Sequence, residues 1–215
     1  MAKLQSTFRN MVLVLSTITL VAAAALGSVY NLTKEPIEAS KRAKKENAIR
    51  EVLPEFDRLN DEIILELPGL SAPFFVYPAF LSDVLVGAAV QSYTRNGFSG
   101  EIKVMVGFDI EGNIVNYAVL EQKETPGLGT KIVDWFKTDK GQQDIRGKHV
   151  EKNNLTVTKT GGEVDAITAA TISSVAFLEA VKLAYDAFLK SGVATQTIDI
   201  EKSASETNNE GESHE

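Results

Sequence analysis

The hydrophobic pattern divides the chain into an apolar N-terminal stretch and a longer region of mixed character. Residues 10–33 carry no charged side chain, and residues 11–26 are almost wholly apolar. A run of this length is sufficient to cross the hydrocarbon core of a bilayer as a helix. Further along, apolar residues recur with the periods of strands and helices. The pattern therefore predicts a membrane-spanning helix followed by a globular domain.

The strand signals lie in the middle of the chain. Residues 102–109 alternate between apolar and more polar side chains, and residues 114–121 alternate again after a turn rich in Asp, Gly and Asn. A period of two on both sides of a short turn predicts an antiparallel hairpin. Residues 84–93 predict a further strand before it, and residues 155–158 predict a short one after it.

Three segments after the apolar stretch predict helices. Residues 36–53 are charged and mildly amphipathic, with Pro36 suited to a first turn and Pro54 beyond the last, so they form either a solvated stalk or a helix packed on the domain. Residues 132–138 predict a short helix. Residues 172–189 place apolar side chains at helical spacing and predict a long one.

These elements predict an α+β fold, because strands and helices do not alternate as βαβ units. Residues 55–83 contain Pro68, Gly69 and Pro73 and predict irregular structure. The expected organisation is an N-terminal tail (1–10), a transmembrane helix (11–32), a charged helix with a connecting segment (33–83), a globular domain with an antiparallel sheet and helices (84–190) and a polar acidic tail expected to be disordered (191–215).

Composition restricts the chemistry. The formal net charge is −7, which argues against a nucleic-acid partner. The chain has no cysteine, which excludes disulfides, Fe–S clusters and thiol catalysis, and it has two histidines, which makes a histidine-rich metal site improbable. Any chemistry must therefore use hydroxyls, carboxylates, backbone groups or a bound cofactor.

The apolar stretch has two interpretations. Residues 22–25 are alanines that would suit a signal peptidase, but the run continues to Val29 and Tyr30, which favours an uncleaved anchor. Lys3 and Arg9 precede the run, whereas more basic residues follow it, so a count of positive charges does not place the domain outside. The signal-like shape, with a short basic region before the apolar core, favours export.

The segment before the long helix is the first candidate site. Asp165, Thr168, Thr171 and Ser173 crowd the predicted helix start, where unpaired N–H groups and the helix dipole attract phosphate. A threonine here can cap the helix, hydrogen-bond a phosphate or carry one covalently. Capping is the simpler interpretation from the segment alone. The segment is neither a G-x-S-x-G elbow nor a P-loop, and His149 is the one histidine suited to serve a hydrolase.

A loop with two glycines is the second candidate site. It follows the predicted hairpin and has the sequence Glu124-Thr-Pro-Gly-Leu-Gly129. Glycine permits positive φ and close approach of the backbone to a ligand, so the loop can present amides or Leu128 to a flat aromatic ring. Its simpler interpretation is a connector whose glycines satisfy turn geometry.

Three motifs, in order along the chain, resemble the FMN-binding domain family. Residues 97–109 resemble its G-[FY]-x-G-x-I-x-[VL] hairpin, residues 124–129 with Trp135 and Phe136 resemble its E-T-P-G-L-G segment, and residues 165–171 resemble its D-x-x-[ST]-G-A-T motif. Together with the anchor, the chain is similar to G subunits of Rnf electron-transport complexes. Ala169 stands where the family motif has glycine, and its methyl group adds bulk beside the expected phosphate.

The resemblance implies an electron carrier with FMN linked to Thr171 by a phosphoester bond. A separate flavin transferase would attach it from FAD, and the isoalloxazine ring would lie near the glycine-containing loop. The cofactor-binding residues that the resemblance implies are Thr171, Thr168, Ala169, Ala170, Ser173, Asp165, Glu124, Thr125, Pro126, Gly127, Leu128 and Gly129.

The implied partners are the other subunits of a membrane Rnf-type complex, which couples electron flow between ferredoxin and NAD to ion translocation. The implied location is the bacterial inner membrane, with one span and the C-terminal domain on the periplasmic side, and the chain is not expected to be catalytic alone. Two alternatives stay open. One is the homologous C subunit of Na⁺-translocating NADH:quinone reductase, whose chains are generally longer; the other is an exported, membrane-tethered binding domain without redox activity.

Overall fold

The structure is a computed structural model that describes residues 7–193. The chain divides into two compact units, with the boundary between Lys44 and Lys45. From residue 194 onward, the expected acidic tail lies outside the described residues.

The first unit consists of most of helix α1, which runs over Phe8–Val52. By length and composition its apolar section could cross a membrane, and none of that section is buried within the protein. Hydroxyl groups in this section donate to carbonyls four residues earlier, at 2.8 Å in each case, so the helix satisfies their donors itself; they belong to Thr17, Thr19, Ser28 and Thr33.

The prediction that a separate helix begins at Pro36 is wrong. Pro36 lies inside α1, which is continuous to Val52. A proline removes one backbone donor and strains one turn, but helix-forming residues on both sides of it, such as Glu35 and Glu38, continue the helix.

The second unit is built on a six-stranded antiparallel sheet. The strands are β1 Arg58–Leu59, β2 Ile63–Leu65, β3 Phe74–Leu81, β4 Val84–Thr94, β5 Ile102–Asp109 and β6 Ile114–Glu121. Their order in the sheet is β1-β3-β4-β5-β6, with β2 also paired to β3. The predicted hairpin and the strand before it are confirmed as β4, β5 and β6.

The prediction of irregular structure over residues 55–83 is wrong, because β1, β2 and β3 lie within it. β3 is apolar on both faces and so lacks the alternation that marks a half-buried strand. Pro78 pairs with Ala88 of β4 and lies between the stretches of β3 that pair with β1 and with β2, a gap in the pairing that tolerates proline. The sheet therefore begins upstream of Val84.

Helix α2, Thr171–Lys190, covers one face of this sheet, mainly over β4 and β5. It confirms the long helix predicted over residues 172–189. The core between them is rich in aromatic rings. The ring of Phe177 stacks on that of Phe136 with centroids 4.7 Å apart, and the ring of Phe108 stacks on that of Phe188 at 5.2 Å. This face carries the candidate site at the N-terminal end of α2.

The last turns of α1 cover the opposite face. Ala48, Ile49 and Val52 are buried against small side chains and Met105. A side chain at Gly107 would collide with the backbone carbonyl of Val52, so glycine lets the helix end approach the sheet closely. Of the two structures that the sequence left open for residues 36–53, a solvated stalk or a helix packed on the domain, the C-terminal part of the segment forms the second.

Two short predictions differ from the structure. Residues 129–137 form two 3-10 turns, Gly129–Val133 and Trp135–Lys137, instead of one helix over residues 132–138. Residues 155–158 do not form a strand; a single bridge joins Val157 to Val164, because the chain turns at once into the 3-10 turn Thr158–Thr160.

Candidate functional site

Helix α2 starts without a side-chain cap. Its N-cap residue is Ala170, and no side chain within residues 7–193 caps it by a hydrogen bond. The capping interpretation for Thr168, Thr171 or Ser173 is therefore not the arrangement in this structure. Backbone N–H groups in a first turn have no partner within the helix. The start of α2 is accordingly suited to an anionic group.

The hydroxyls of the motif have different partners. Ser173 is 2% exposed and donates to a carboxylate oxygen of Glu124. Ser174 donates to the carbonyl of Ala170 at 3.0 Å and accepts from the N–H of Ile167 at 2.9 Å. These two serines hold the segment before α2 in place by buried hydrogen bonds.

Thr171 is the first residue of α2 and is partly exposed. Its Oγ1 accepts a hydrogen bond from Nζ of Lys159 at 3.3 Å. Thr168 lies outside the helix at an exposed position. Of the two threonines, Thr171 is the one beside a cation and at the helix start.

Ala169 has a φ of 62°, in the left-handed region. Glycine enters this region freely, whereas an alanine there is strained by roughly 1–2 kcal/mol. Ala169 is exposed, so its methyl group is not buried in the protein. The backbone conformation at this position explains why glycine suits the motif, and the alanine adopts the same region at a cost.

The loop with two glycines folds into a tight turn. The N–H groups of Leu128 and Thr130 donate to the carbonyl of Thr125 at 3.1 and 3.3 Å. Gly127 has a φ of 75°, and its N–H donates to Oγ1 of Thr130 at 3.0 Å. Pro126 is exposed beside it. Glycine at 127 thus lets the turn form without backbone strain.

Gly129 is needed for a different reason. A Cβ atom at this position would lie 2.6 Å from Oγ of Ser173 and 2.7 Å from Oε2 of Glu124. Such distances are shorter than any ordinary non-bonded contact, so the loop can pack against the start of α2 only with glycine here. The two candidate segments are therefore in direct contact.

Glu124 is the centre of this contact. It is 3% exposed, and its Oε1 accepts from the N–H of Ser99 at 3.0 Å while its Oε2 accepts from Ser173. A Cβ at Gly97 would lie 2.7 Å from Oε1, so the loop before β5 also needs a glycine to approach it. One buried carboxyl group thus joins the three motifs that the sequence shows separately.

The carboxylate of Asp165 is hydrogen-bonded to two neighbouring loops. Its Oδ2 accepts from the N–H of Gln142 at 2.9 Å, and its Oδ1 accepts from the hydroxyl of Thr158 at 3.3 Å. Its backbone carbonyl accepts from Nε1 of Trp135 at 2.9 Å. Asp165 fixes the loops behind the motif, and Trp135 connects it to the segment after the glycine-containing loop.

Tyr117 supports the same segment from the sheet. Its hydroxyl donates to the carbonyl of Ile132 at 2.8 Å and accepts from the N–H of Phe136 at 3.2 Å. Burial raises the pKa of Tyr117 well above its usual range, so the hydroxyl keeps its proton. The 3-10 turns that follow the loop are therefore held against β6 by a neutral, fully bonded hydroxyl.

Two cavities meet at Thr171. One, of about 330 Å³, is lined by Phe98, Thr125, Leu128, Gly129 and residues 169–173. The other, of about 540 Å³, lies along α2 and is lined by Asn96, Thr171, Ile172, Val175, Ala176, Glu179 and Lys182. The structure thus brings Thr171, Ala169, Ala170 and Ser173 together with the loop. Five of the predicted site residues line neither cavity: Glu124, Pro126, Gly127, Asp165 and Thr168.

Sequence reasoning missed two residues at this site. Phe98 is 66% exposed at the edge of the smaller cavity, although its place in the hairpin motif was visible in the sequence. Lys159 contacts Thr171 from a separate 3-10 turn, twelve residues earlier. No pattern in the sequence marks this lysine, because the contact depends on how the intervening loop folds.

The chain is similar to two sets of known proteins. Residues 97–186 match the FMN-binding domain family. The G subunit of the ion-translocating oxidoreductase complex from Aliivibrio fischeri (strain MJ11) is 32% identical over 189 residues, covering 83% of this chain and 89% of the relative. The G subunit from Yersinia pestis is 33% identical, covering 77% and 84% of the two chains. That from Vibrio vulnificus (strain YJ016) is 30% identical, covering 77% and 83%.

Proposed function

Since this chain belongs to the family of G subunits of ion-translocating oxidoreductase complexes, we propose that it carries electrons through FMN linked covalently to Thr171. It is a membrane-anchored, FMN-binding component of such a complex, with the apolar section of α1 as the anchor. When bound, FMN supplies the redox chemistry, and the protein supplies position and electrostatics.

The observation that carries the attachment point is the setting of Thr171. Its hydroxyl is at the uncapped start of α2, beside the ammonium group of Lys159 and at the junction of two cavities. The neighbouring Ser173 is buried and already bonded to Glu124. Thr171 therefore offers an accessible oxygen where a phosphate would be stabilised by backbone N–H groups, the helix dipole and a cation.

Attachment would be a phosphoryl-group transfer by a separate flavin transferase. The Oγ1 atom of Thr171 forms a bond to the phosphorus of the FMN half of FAD, and the pyrophosphate bond to the AMP half breaks. AMP leaves with the bridging oxygen, and the threonine proton passes to a base of the transferase. No electron is gained or lost, so the step needs no oxidant or reductant.

The smaller cavity is suited to the flavin ring. Its volume of about 330 Å³ is at the lower end of the range for ligand sites, and its wall includes the apolar side chains of Phe98 and Leu128. Thr125 and Gly129 of the loop line it as well. Residues 124–129 then have two roles. Glu124 holds the loop against α2 and the segment before β5 by buried hydrogen bonds, and the turn faces the cofactor.

We further propose a single span in the bacterial inner membrane with the domain on the periplasmic side. The support is the signal-like order of Arg9 before the apolar section of α1. A reporter that is active outside the cytoplasm, fused after Leu189, would be active under this topology. A reporter active in the cytoplasm alone would reverse it.

Covalent attachment is tested by expression with the flavin transferase, a denaturing gel and in-gel flavin fluorescence. We expect a fluorescent band for the wild type, none for Thr171→Ala, and an unchanged band for the matched control Thr168→Ala. Fluorescence that survives Thr171→Ala would reject this attachment site. A dark wild-type band with flavin released into the acid supernatant would instead indicate non-covalent FMN.

The relatives from Aliivibrio, Yersinia and Vibrio are all named as G subunits, which favours this assignment over the C subunit of a quinone reductase. Co-purification of the full-length chain from its native membrane would test this. Neighbouring subunits of a ferredoxin:NAD complex are the expected result, and quinone-reductase subunits would overturn it.

A further inference from the structure

The cation that contacts Thr171 comes from a loop that the motif itself holds in place. Lys159 is the middle residue of the 3-10 turn Thr158–Thr160. The residue before it, Thr158, donates its hydroxyl to Oδ1 of Asp165, the first residue of the motif, at 3.3 Å. The N–H of Thr158 also donates to the carbonyl of Val164 at 2.9 Å.

A glycine pair closes this loop. Gly161 has a φ of 84°, and a side chain at Gly162 would collide with the backbone of Thr156. The loop therefore folds back on itself tightly and returns to Asp165. Lys159 is thus presented to Thr171 by a defined turn and not by a free tail.

We propose that Lys159 is the phosphate-binding side chain of the flavin attachment site, a role that rests on the proposed covalent FMN. Before attachment its ammonium group positions Oγ1 of Thr171 and favours loss of the hydroxyl proton. During attachment it lies beside the charge that develops as the bond to phosphorus forms and the bond to AMP breaks. Afterwards it neutralises the remaining negative charge of the phosphodiester.

The charge of Lys159 decides this role, because a lysine acts on a phosphate as a point charge. Lys159 is exposed, so salt must screen its effect. Its contribution is therefore graded, whereas Thr171 is absolutely required. A loss of Lys159 slows attachment without abolishing it.

The test compares the initial rate of covalent flavin attachment for purified apoprotein, flavin transferase and FAD. We expect Lys159→Ala to be about tenfold slower than the wild type, equivalent to roughly 1.4 kcal/mol of barrier. Lys159→Glu is expected to be slower still, and Lys159→Arg to recover most of the rate. The matched control is Lys190→Ala, which removes the same charge at the opposite end of α2. The deficit of Lys159→Ala should shrink as the salt concentration rises.

A second readout does not involve the transferase. After attachment has gone to completion, the ³¹P resonance of the phosphodiester should shift in Lys159→Ala and not in Lys190→Ala. Wild-type rates together with an unchanged resonance in Lys159→Ala would overturn the proposal. A slower rate with an unchanged resonance would also overturn it, because Lys159 would then act on transferase docking alone. Absence of flavin from the wild type would reject covalent attachment itself, and the role of Lys159 with it.

Discussion

Thr171 and Ser173 lie two residues apart on α2, yet their hydroxyls have opposite environments. Ser173 is buried and bonded to the carboxyl group of Glu124, whereas Thr171 is partly exposed and contacts the ammonium group of Lys159. Successive helix residues are rotated by roughly 100°, so two steps bring a side chain to the other side of the helix. The motif therefore has one side that packs into the domain, with Ser173, and one side that is accessible, with Thr171.

This difference separates residues that stabilise the fold of the site from residues that are proposed to take part in flavin attachment. Substitutions on the side of Ser173 should change the free energy of unfolding, and substitutions on the side of Thr171 should change flavin attachment. Stability measurements on matched pairs of variants can test that separation.

The largest effect is expected for Gly129→Ala. The new Cβ atom would lie 2.6 Å from Oγ of Ser173 and 2.7 Å from Oε2 of Glu124, so the loop must move away from α2. We expect a loss of roughly 2–3 kcal/mol in the free energy of unfolding, measured by urea denaturation. Gly127→Ala, which meets no atom within 4 Å but has a φ of 75°, should lose only about 1 kcal/mol. Equal losses would show that space at residue 129 is not limiting.

An intermediate effect is expected for Ser173→Ala. The buried carboxyl group of Glu124 would lose one of its hydrogen-bond donors, which costs roughly 1–3 kcal/mol of stability. Thr171→Ala, which removes a partly exposed hydroxyl, should change stability by less than about 0.5 kcal/mol. Thermal unfolding of both apoproteins checks the pair. A Thr171→Ala protein as unstable as Ser173→Ala would break the proposed separation.

The smallest effect, and one of opposite sign, is expected for Ala169→Gly. Glycine relieves the strain of the left-handed conformation, which stabilises the folded protein by roughly 1–2 kcal/mol. Glycine also gives the unfolded chain more conformational freedom, which offsets about 0.4–1 kcal/mol of this gain. A net gain of about 0.5–1 kcal/mol in the free energy of unfolding should follow. Ala180→Gly, in the interior of α2, is the control and should be destabilising by about 1 kcal/mol. Destabilisation by both would mean that residue 169 carries no strain.

The sequence was sufficient to predict elements with a clear period and segments with a clear motif. The residues of β5 and β6 alternate in sequence between apolar and more polar side chains, and α2 begins at the predicted cluster of hydroxyls. It was insufficient for β3, because a strand buried on both faces has no alternation to detect.

The hydrogen bonds that join distant segments at the site could also not be predicted from the sequence. Glu124 and Ser173 are 49 residues apart, and Lys159 and Thr171 are 12 apart. Neither separation corresponds to a helix or strand period, so only the folded chain brings these side chains together. The motifs indicated candidate site residues, but not which of these residues line the cavities.

The buried carboxyl group of Glu124 has a consequence for the order of maturation. Its two oxygens bind donors that are 25 and 49 residues away along the chain, on the loop before β5 and on α2. These segments meet only when the sheet is complete and α2 has docked on it. The setting of Thr171 thus exists in the folded domain and not in a nascent or partly folded chain. Under the proposed attachment of flavin to Thr171, the transferase therefore acts on the folded domain.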